Sequence, residues 1–133
     1  MKRVQLYWWT PTQYSKYTIL GRINGEYHRY KGIPANFGDE LSSFIVAQVL
    51  KVDVELAAKN DKGKLLGIGS ILHQAKEKDI IWGSGINGKY VDRKVEAKHL
   101  NILSVRGPLT QAYLKEGGYN APDIFGDPAV LTP

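Results

Sequence analysis

The sequence predicts an open α/β fold, Rossmann-like and doubly wound around a mostly parallel sheet. Short apolar, strand-like runs alternate with segments of helical spacing, and glycine, or a charged residue beside glycine, stands at the junctions between them. Scale agrees: 133 residues make one domain, long enough to bury about two-thirds of its unfolded surface.

The elements follow in order. Residues 3–9 (RVQLYWW) are rich in branched and aromatic side chains and read as a buried first strand. Residues 10–34 hold Pro11, Gly21, Gly25, Gly32 and the tyrosines Tyr14, Tyr17, Tyr27 and Tyr30. A connection this long is usually functional, disordered or the host of a short hairpin, of which 17–20 would be one arm. A helix is predicted over 38–51, where Leu41, Phe44, Ile45 and Val49 form a stripe that Val46 and Leu50 widen. Asn36 suits its N-cap, which puts Asp39 in the first turn. Then come a short strand over 64–67, a short helix over 70–75 and a buried strand over 79–82. Another strand follows at 101–105, and a helix over 108–116 opens on Pro108 and ends at Gly117 and Gly118. Residues 123–125 close the set as a short strand before Gly126, Asp127 and Pro128.

Composition narrows the function classes. A hydrophobic share of 43% with 23% charged residues is that of an ordinary soluble domain. No apolar run approaches the roughly 18 residues of a membrane span, and the first residues show no signal-peptide pattern. With no cysteine there is no disulfide framework or thiolate metal site, and a cytoplasmic setting is expected. Eighteen Lys and Arg against 13 Asp and Glu give a net charge of +5, which favours anionic partners such as phosphate, a lipid diphosphate or a membrane surface. Lys59, Lys62, Lys64, Lys76, Lys78 and Lys89 are scattered among acids and turns, so nucleic acid is not an expected partner.

Chemistry is expected at the strand–helix junctions, because ligands of open α/β sheets sit at the carboxyl ends of strands. At 105–108 (VRGP) a strand ends, Arg106 follows and a helix begins. The free N–H groups and dipole of that helix favour an anion, which a guanidinium can grip with two parallel bonds. Spacing alone does not separate this from an arginine paired with a neighbouring loop acid. At 36–39 (NFGD), Gly38 permits close approach of a ligand and Asp39 faces the mouth of the sheet. Asp39 is placed to orient or deprotonate a hydroxyl, or only to complement the helix start. Residues 83–88 (GSGING) fit a dinucleotide fingerprint, but no strong helix follows. Where the ribose-binding acid is expected stand Leu103, Ser104, Val105 and Arg106, so a nicotinamide site is rejected. His73 reads as a C-terminal dipole partner rather than an acid–base group. Neither His28 nor His99 joins a metal constellation, so no protein-ligated metal is expected.

Five segments in this order, 36–40 (NFGDE), 67–73 (GIGSILH), 82–86 (WGSGI), 105–110 (VRGPLT) and 126–131 (GDPAVL), resemble the polysaccharide pyruvyl transferase family. The resemblance runs from about Asn36 onward and covers the family's front half. It implies the N-terminal domain of a two-domain enzyme of the GT-B type. Such an enzyme transfers pyruvate as a ketal from phosphoenolpyruvate to a sugar in cell-surface or exopolysaccharide biosynthesis, with no cofactor beyond that donor. It implies Arg106 and Asp39 as catalytic residues, with Arg106 on the donor. Asn36, Gly38, Ser84, Gly85, Gly107 and Asp127 would line the cleft or its hinge. Full members are roughly twice this length, so the chain alone is expected to be inactive or to need a further domain or partner chain. The acceptor would be a saccharide, lipid-linked or polymeric, with peripheral membrane association and homo-oligomerisation as further expectations. Two other classes stay open: a nucleotide-sugar-binding domain of the same architecture, and a non-catalytic assembly domain.

Overall fold

A computed structural model describes residues 2–10 and 37–132. Five strands are present: β1 (Arg3–Tyr7), β2 (Asp53–Leu56), β3 (Leu65–Leu66), β4 (Ile80–Trp82) and β5 (Asn101–Ser104). They form one sheet in the order β2-β1-β3-β4-β5, and every pairing is parallel. A single parallel bridge between Val105 and Phe125 extends it by one further chain crossing. This is the Rossmann-like α/β fold that the alternating pattern predicts.

Pleating sends alternate residues to opposite faces. Leu6, Leu65, Ile80 and Trp82 point to one side, where Val46 of helix α1 (Phe37–Leu50) meets them. Tyr7, Leu66, Ile81 and Val105 point to the other, where they pack with Leu72 and with Leu114 of helix α2 (Pro108–Glu116). Apolar side chains thus fill both faces, as a buried parallel sheet requires.

Helix α1 turns a different face inward from the one its stripe suggests. Ile45 and Val46 are buried, but Ser42 is fully buried too, while Phe44 and Val49 stay 49% and 45% exposed. The reason is close approach: a Cβ on Gly67 would lie 3.2 Å from the Ser42 hydroxyl, so a small side chain sits where helix and strand touch. The helix ends where Lys51 takes a left-handed φ of 52°, a conformation usually left to glycine.

Other elements differ in extent. The helix expected over 70–75 is one 3-10 turn, Leu72–Gln74, after which Ala75 is extended. The strand expected over 123–125 is only the Phe125 bridge, while β2, an edge strand, carries a sequence (DVEL) that gave no strand signal. Asn36 and the tyrosine-rich connection from 11 onward, with its proposed hairpin arm, lie outside the described residues.

At the amino edge of the sheet, Lys64 precedes β3 and Asp79 precedes β4, both with side chains at 0% exposure. The Lys64 ammonium donates to Asp79 at 2.5 Å and to the Asp61 carbonyl at 2.8 Å. Asp79 also accepts the backbone N–H groups of Lys64 and Lys76 at 3.0 and 2.7 Å. One carboxylate therefore pins the starts of two adjacent strands. Burial lowers the pKa of Lys64 despite its partner.

Candidate functional site

The strand order reverses between β1 and β3, so the chain leaves the sheet in opposite directions there and opens a crevice at the carboxyl edge. Five segments reach that edge: the start of α1, and the residues after β3, β4, β5 and Phe125.

Two glycines form the middle of it. Gly85 N–H donates to the Gly69 carbonyl at 3.1 Å, tying the loop after β4 to the loop after β3. The Ser84 hydroxyl, fully buried, donates to the same carbonyl at 3.2 Å. Gly69 has a left-handed φ of 112°, and a Cβ there would lie 2.8 Å from Asp39 Oδ1. Asp39 itself is 8% exposed. A Cβ on Gly85 would lie 2.4 Å from Arg106 Nε and 2.7 Å from its Nη2. Asp39 and Arg106 thus each approach one member of a hydrogen-bonded glycine pair, and both glycines leave room for a charged side chain.

Arg106 is half-buried, and its backbone N–H donates to the Ser84 carbonyl at 3.3 Å. Its Nη1 donates to Ser70 Oγ at 2.8 Å, and its Nη2 donates to the Ile86 carbonyl. These two bonds occupy two of the five guanidinium donors. Arg106 forms no ion pair among the described residues, where the ion pairs present join Arg3, Lys64, Lys76, His99 and Lys115 to acids. The arginine is therefore fixed by neutral oxygens, and its positive charge meets no carboxylate among the described residues. That arrangement suits capture of an anion in the crevice.

The remaining site residues take distinct places. Gly107 is the extended N-cap of α2, with no side-chain cap, and a Cβ on it would meet nothing within 4 Å. Thr110, in the first turn of α2, accepts the Ile86 N–H at 3.4 Å. Gly38 lies half-buried in the first turn of α1. Asp127 caps the 3-10 turn Pro128–Leu131 through the Ala129 N–H at 3.0 Å. That turn lies against α1, so Asp127 joins the crevice wall to the last segment of the chain. Residues 83–100 run as turns and extended chain with no helix, unlike a dinucleotide loop.

Ser70 is the residue that sequence reasoning overlooked. Its signal was slight: a hydroxyl directly after Gly69, in the short Gly67-Ile68-Gly69 turn that follows a strand.

Gly85 gives a selective probe of this geometry. Its φ is open to any residue, so alanine adds no backbone strain, yet its Cβ would occupy the space of the guanidinium. Gly85→Ala is expected to fold with little loss of Tm while Arg106 leaves Ser70. A displaced guanidinium fails to make one or two charge-assisted bonds to the anion, about 1.5–3 kcal/mol each, which should weaken anion binding roughly tenfold or more. Calorimetric titration beside thermal unfolding separates the two effects.

An open parallel α/β domain that brings Asp39, Asp127 and an arginine with no ion pair among the described residues to its carboxyl edge defines the class of protein. No family model, no curated protein and no solved structure matches the chain.

Proposed function

We propose that the chain forms the donor-binding half of a polysaccharide pyruvyl transferase-like enzyme of the GT-B type, acting in exopolysaccharide or cell-surface glycan synthesis. The observation that carries the reading is Arg106, a half-buried cation with donors to spare and no ion pair among the described residues. In this reading it holds the carboxylate or phosphate of phosphoenolpyruvate. Asp39 orients a sugar hydroxyl and takes its proton as the oxygen adds.

The chemistry balances as follows. The methylene carbon of phosphoenolpyruvate gains a proton and becomes a methyl group, leaving a cation at the carbon bearing the phosphate. One sugar hydroxyl adds there and loses its proton. The carbon–oxygen bond to phosphate then breaks, phosphate departs with the bonding electrons, and a second hydroxyl adds to the cationic carbon and gives up its proton to the departing phosphate, closing the ketal. Donors fixed around the developing charges stabilise them without reorganising.

The test is calorimetric titration of phosphoenolpyruvate at low salt into the wild-type chain, Arg106→Ala and Asp39→Asn. Saturable binding that falls at least tenfold in Arg106→Ala and survives in Asp39→Asn is expected. Unchanged affinity in Arg106→Ala would overturn the reading. So would tight binding of uridine or guanosine diphosphate without binding of phosphoenolpyruvate, which would favour a nucleotide-sugar domain.

A further inference from the structure

In an all-parallel sheet every strand is entered from the same edge. Residues scattered along the chain, but standing just ahead of strands, therefore come together in space. The register sets Leu56, Leu6, Leu65, Ile80 and Asn101 level with one another across the five strands. On every strand a lysine lies two to five residues upstream of that level: Lys51 before β2, Lys2 before β1, Lys62 before β3, Lys78 before β4 and Lys98 before β5. Backbone bonds hold neighbouring entrances side by side. Asp53 N–H donates to the Lys2 carbonyl at 3.1 Å, Gly63 N–H to the Glu77 carbonyl at 3.1 Å, and Lys78 N–H to the His99 carbonyl at 2.8 Å. Strands about 4.8 Å apart spread the five lysines over roughly 19 Å, the width of the sheet.

All five lysines are exposed, and none forms an ion pair among the described residues. Most acids of this edge have partners of their own. Asp79 is held by Lys64, Glu77 by the His99 ring and the Lys98 N–H, Glu55 by Arg3 and Asp61 by the Ala58 N–H. Asp53 is the exception, and its side chain is much shorter than that of a lysine. The helix dipole accounts for Lys51 alone, which follows α1, since no α-helix ends at the other four.

Two apolar side chains adjoin the row. Val49 and Leu50, in the last turn of α1 directly before Lys51, are 45% and 46% exposed. Aliphatic side chains beside a line of ammonium groups supply the two signals that hold a protein on an anionic bilayer. The first enters the headgroup layer and the second neutralises it. A polyanionic chain fits less well. The segments 51–52, 60–64, 76–79 and 96–100 contain no Phe, Tyr or Trp on which a base or a sugar ring could stack. Lysine, a mobile point charge, suits a diffuse headgroup layer, whereas arginine grips one phosphate from two directions.

We propose that the amino edge of the sheet is a docking surface for an anionic lipid bilayer, made by its five lysines with Val49 and Leu50 at the α1 end. The inference goes beyond the transferase reading and does not depend on it. The Arg106 crevice lies at the opposite edge, so it faces away from a bilayer bound here.

Co-sedimentation of the full chain with mixed phosphatidylcholine–phosphatidylglycerol vesicles tests the surface, with pure phosphatidylcholine vesicles and soluble polyphosphate as comparisons. Saturable binding to the mixed vesicles at low salt is expected, absent from pure phosphatidylcholine and lost at high salt. Each lysine near the bilayer adds about fivefold to partitioning, so the triple change Lys62→Gln, Lys78→Gln and Lys98→Gln should weaken it roughly a hundredfold. The charge-matched triple Lys59→Gln, Lys89→Gln and Lys94→Gln, outside the row, should weaken it by less than about tenfold. Val49→Ser combined with Leu50→Ser should weaken vesicle binding several-fold. All these positions are exposed, and circular dichroism checks that each variant keeps its fold. Failure to bind the mixed vesicles at low salt overturns the proposal. Equal losses in the two lysine triples overturn it as well, because they reduce the effect to net charge. Row-dependent binding of polyphosphate without binding of vesicles overturns it in favour of a polymeric anion. None of these results turns on phosphoenolpyruvate binding at Arg106, so the two readings fail separately.

Discussion

Asp79→Ala is expected to lower stability by about 3–5 kcal/mol, the cost of breaking a buried ion pair from one side. In a chain of this size that is a fall in Tm of roughly 10–20 °C. The substitution strands the Lys64 ammonium at 0% exposure with the Asp61 carbonyl and the Tyr7 ring as its remaining contacts. It also removes the acceptor of the Lys64 and Lys76 N–H groups, which lie in the chain entering the adjacent strands β3 and β4. Lys64→Met should cost less. Methionine fills a similar volume, and the carboxylate left behind keeps its hydrogen bonds from two backbone N–H groups. The order wild type, Lys64→Met, Asp79→Ala in descending Tm is the expected result, and a reversed order would refute the account.

The pH dependence of that deficit follows from the sign of the lysine shift. The folded-state pKa of Lys64 lies below its ordinary value of 10.5. The unfolded chain therefore holds this proton more tightly, and stability assigned to Lys64 rises as pH climbs from the folded pKa toward 10.5. Without Asp79 the ammonium is disfavoured further, so the gap between Asp79→Ala and wild type should narrow as pH rises toward 10.5. Chemical denaturation at a series of pH values reads this directly.

How much of the molecule was legible in the chain depended on how local its cause was. Helix α2 runs Pro108–Glu116 as its sequence predicts, because proline starts it and Gly117 ends it, both local signals. The apolar runs at 64–67, 79–82 and 101–105 correspond to β3, β4 and β5, shortened by one or two residues. Strand β2 was illegible because an edge strand needs no continuous apolar run, and Asp53 and Glu55 face solvent there. The inward face of α1 was misjudged because the fit between Ser42 and Gly67 is decided by tertiary approach, not by hydropathy.

The candidate site divides along the same line. A strand ending in arginine before a helix placed Arg106 at the carboxyl edge from spacing alone. What fixes the guanidinium was hidden, since Ser70 lies 36 residues away and Ile86 lies 20. Sequence also left the alternative of an arginine paired with a loop acid. No such pair exists among the described residues, and only the assembled fold could separate the two.

Gly83→Ala should be comparably severe, about 2–5 kcal/mol, although Gly83 stands only two residues from the tolerant Gly85. Two costs combine. Gly83 has a left-handed φ of 81°, where an alanine is strained by roughly 1–2 kcal/mol. Its Cβ would also lie 2.3 Å from Pro128 Cδ and 2.5 Å from the Gly126 carbonyl oxygen, an overpacking that costs about 1–3 kcal/mol. Neither neighbour can yield by a rotamer change, because one is a ring and the other is backbone. Gly126 is tied in turn by its N–H to the Val105 carbonyl at 3.0 Å, and Gly83 by its own N–H to Ser104 at 3.1 Å. Relief therefore means pulling the last segment off the sheet, which would carry Asp127 away from the crevice. Hydrogen exchange should show the Gly126 amide losing protection before the β3 and β4 amides do. A Gly83→Ala variant within about 1 kcal/mol of wild type would mean that this segment is not fastened as the glycine geometry requires.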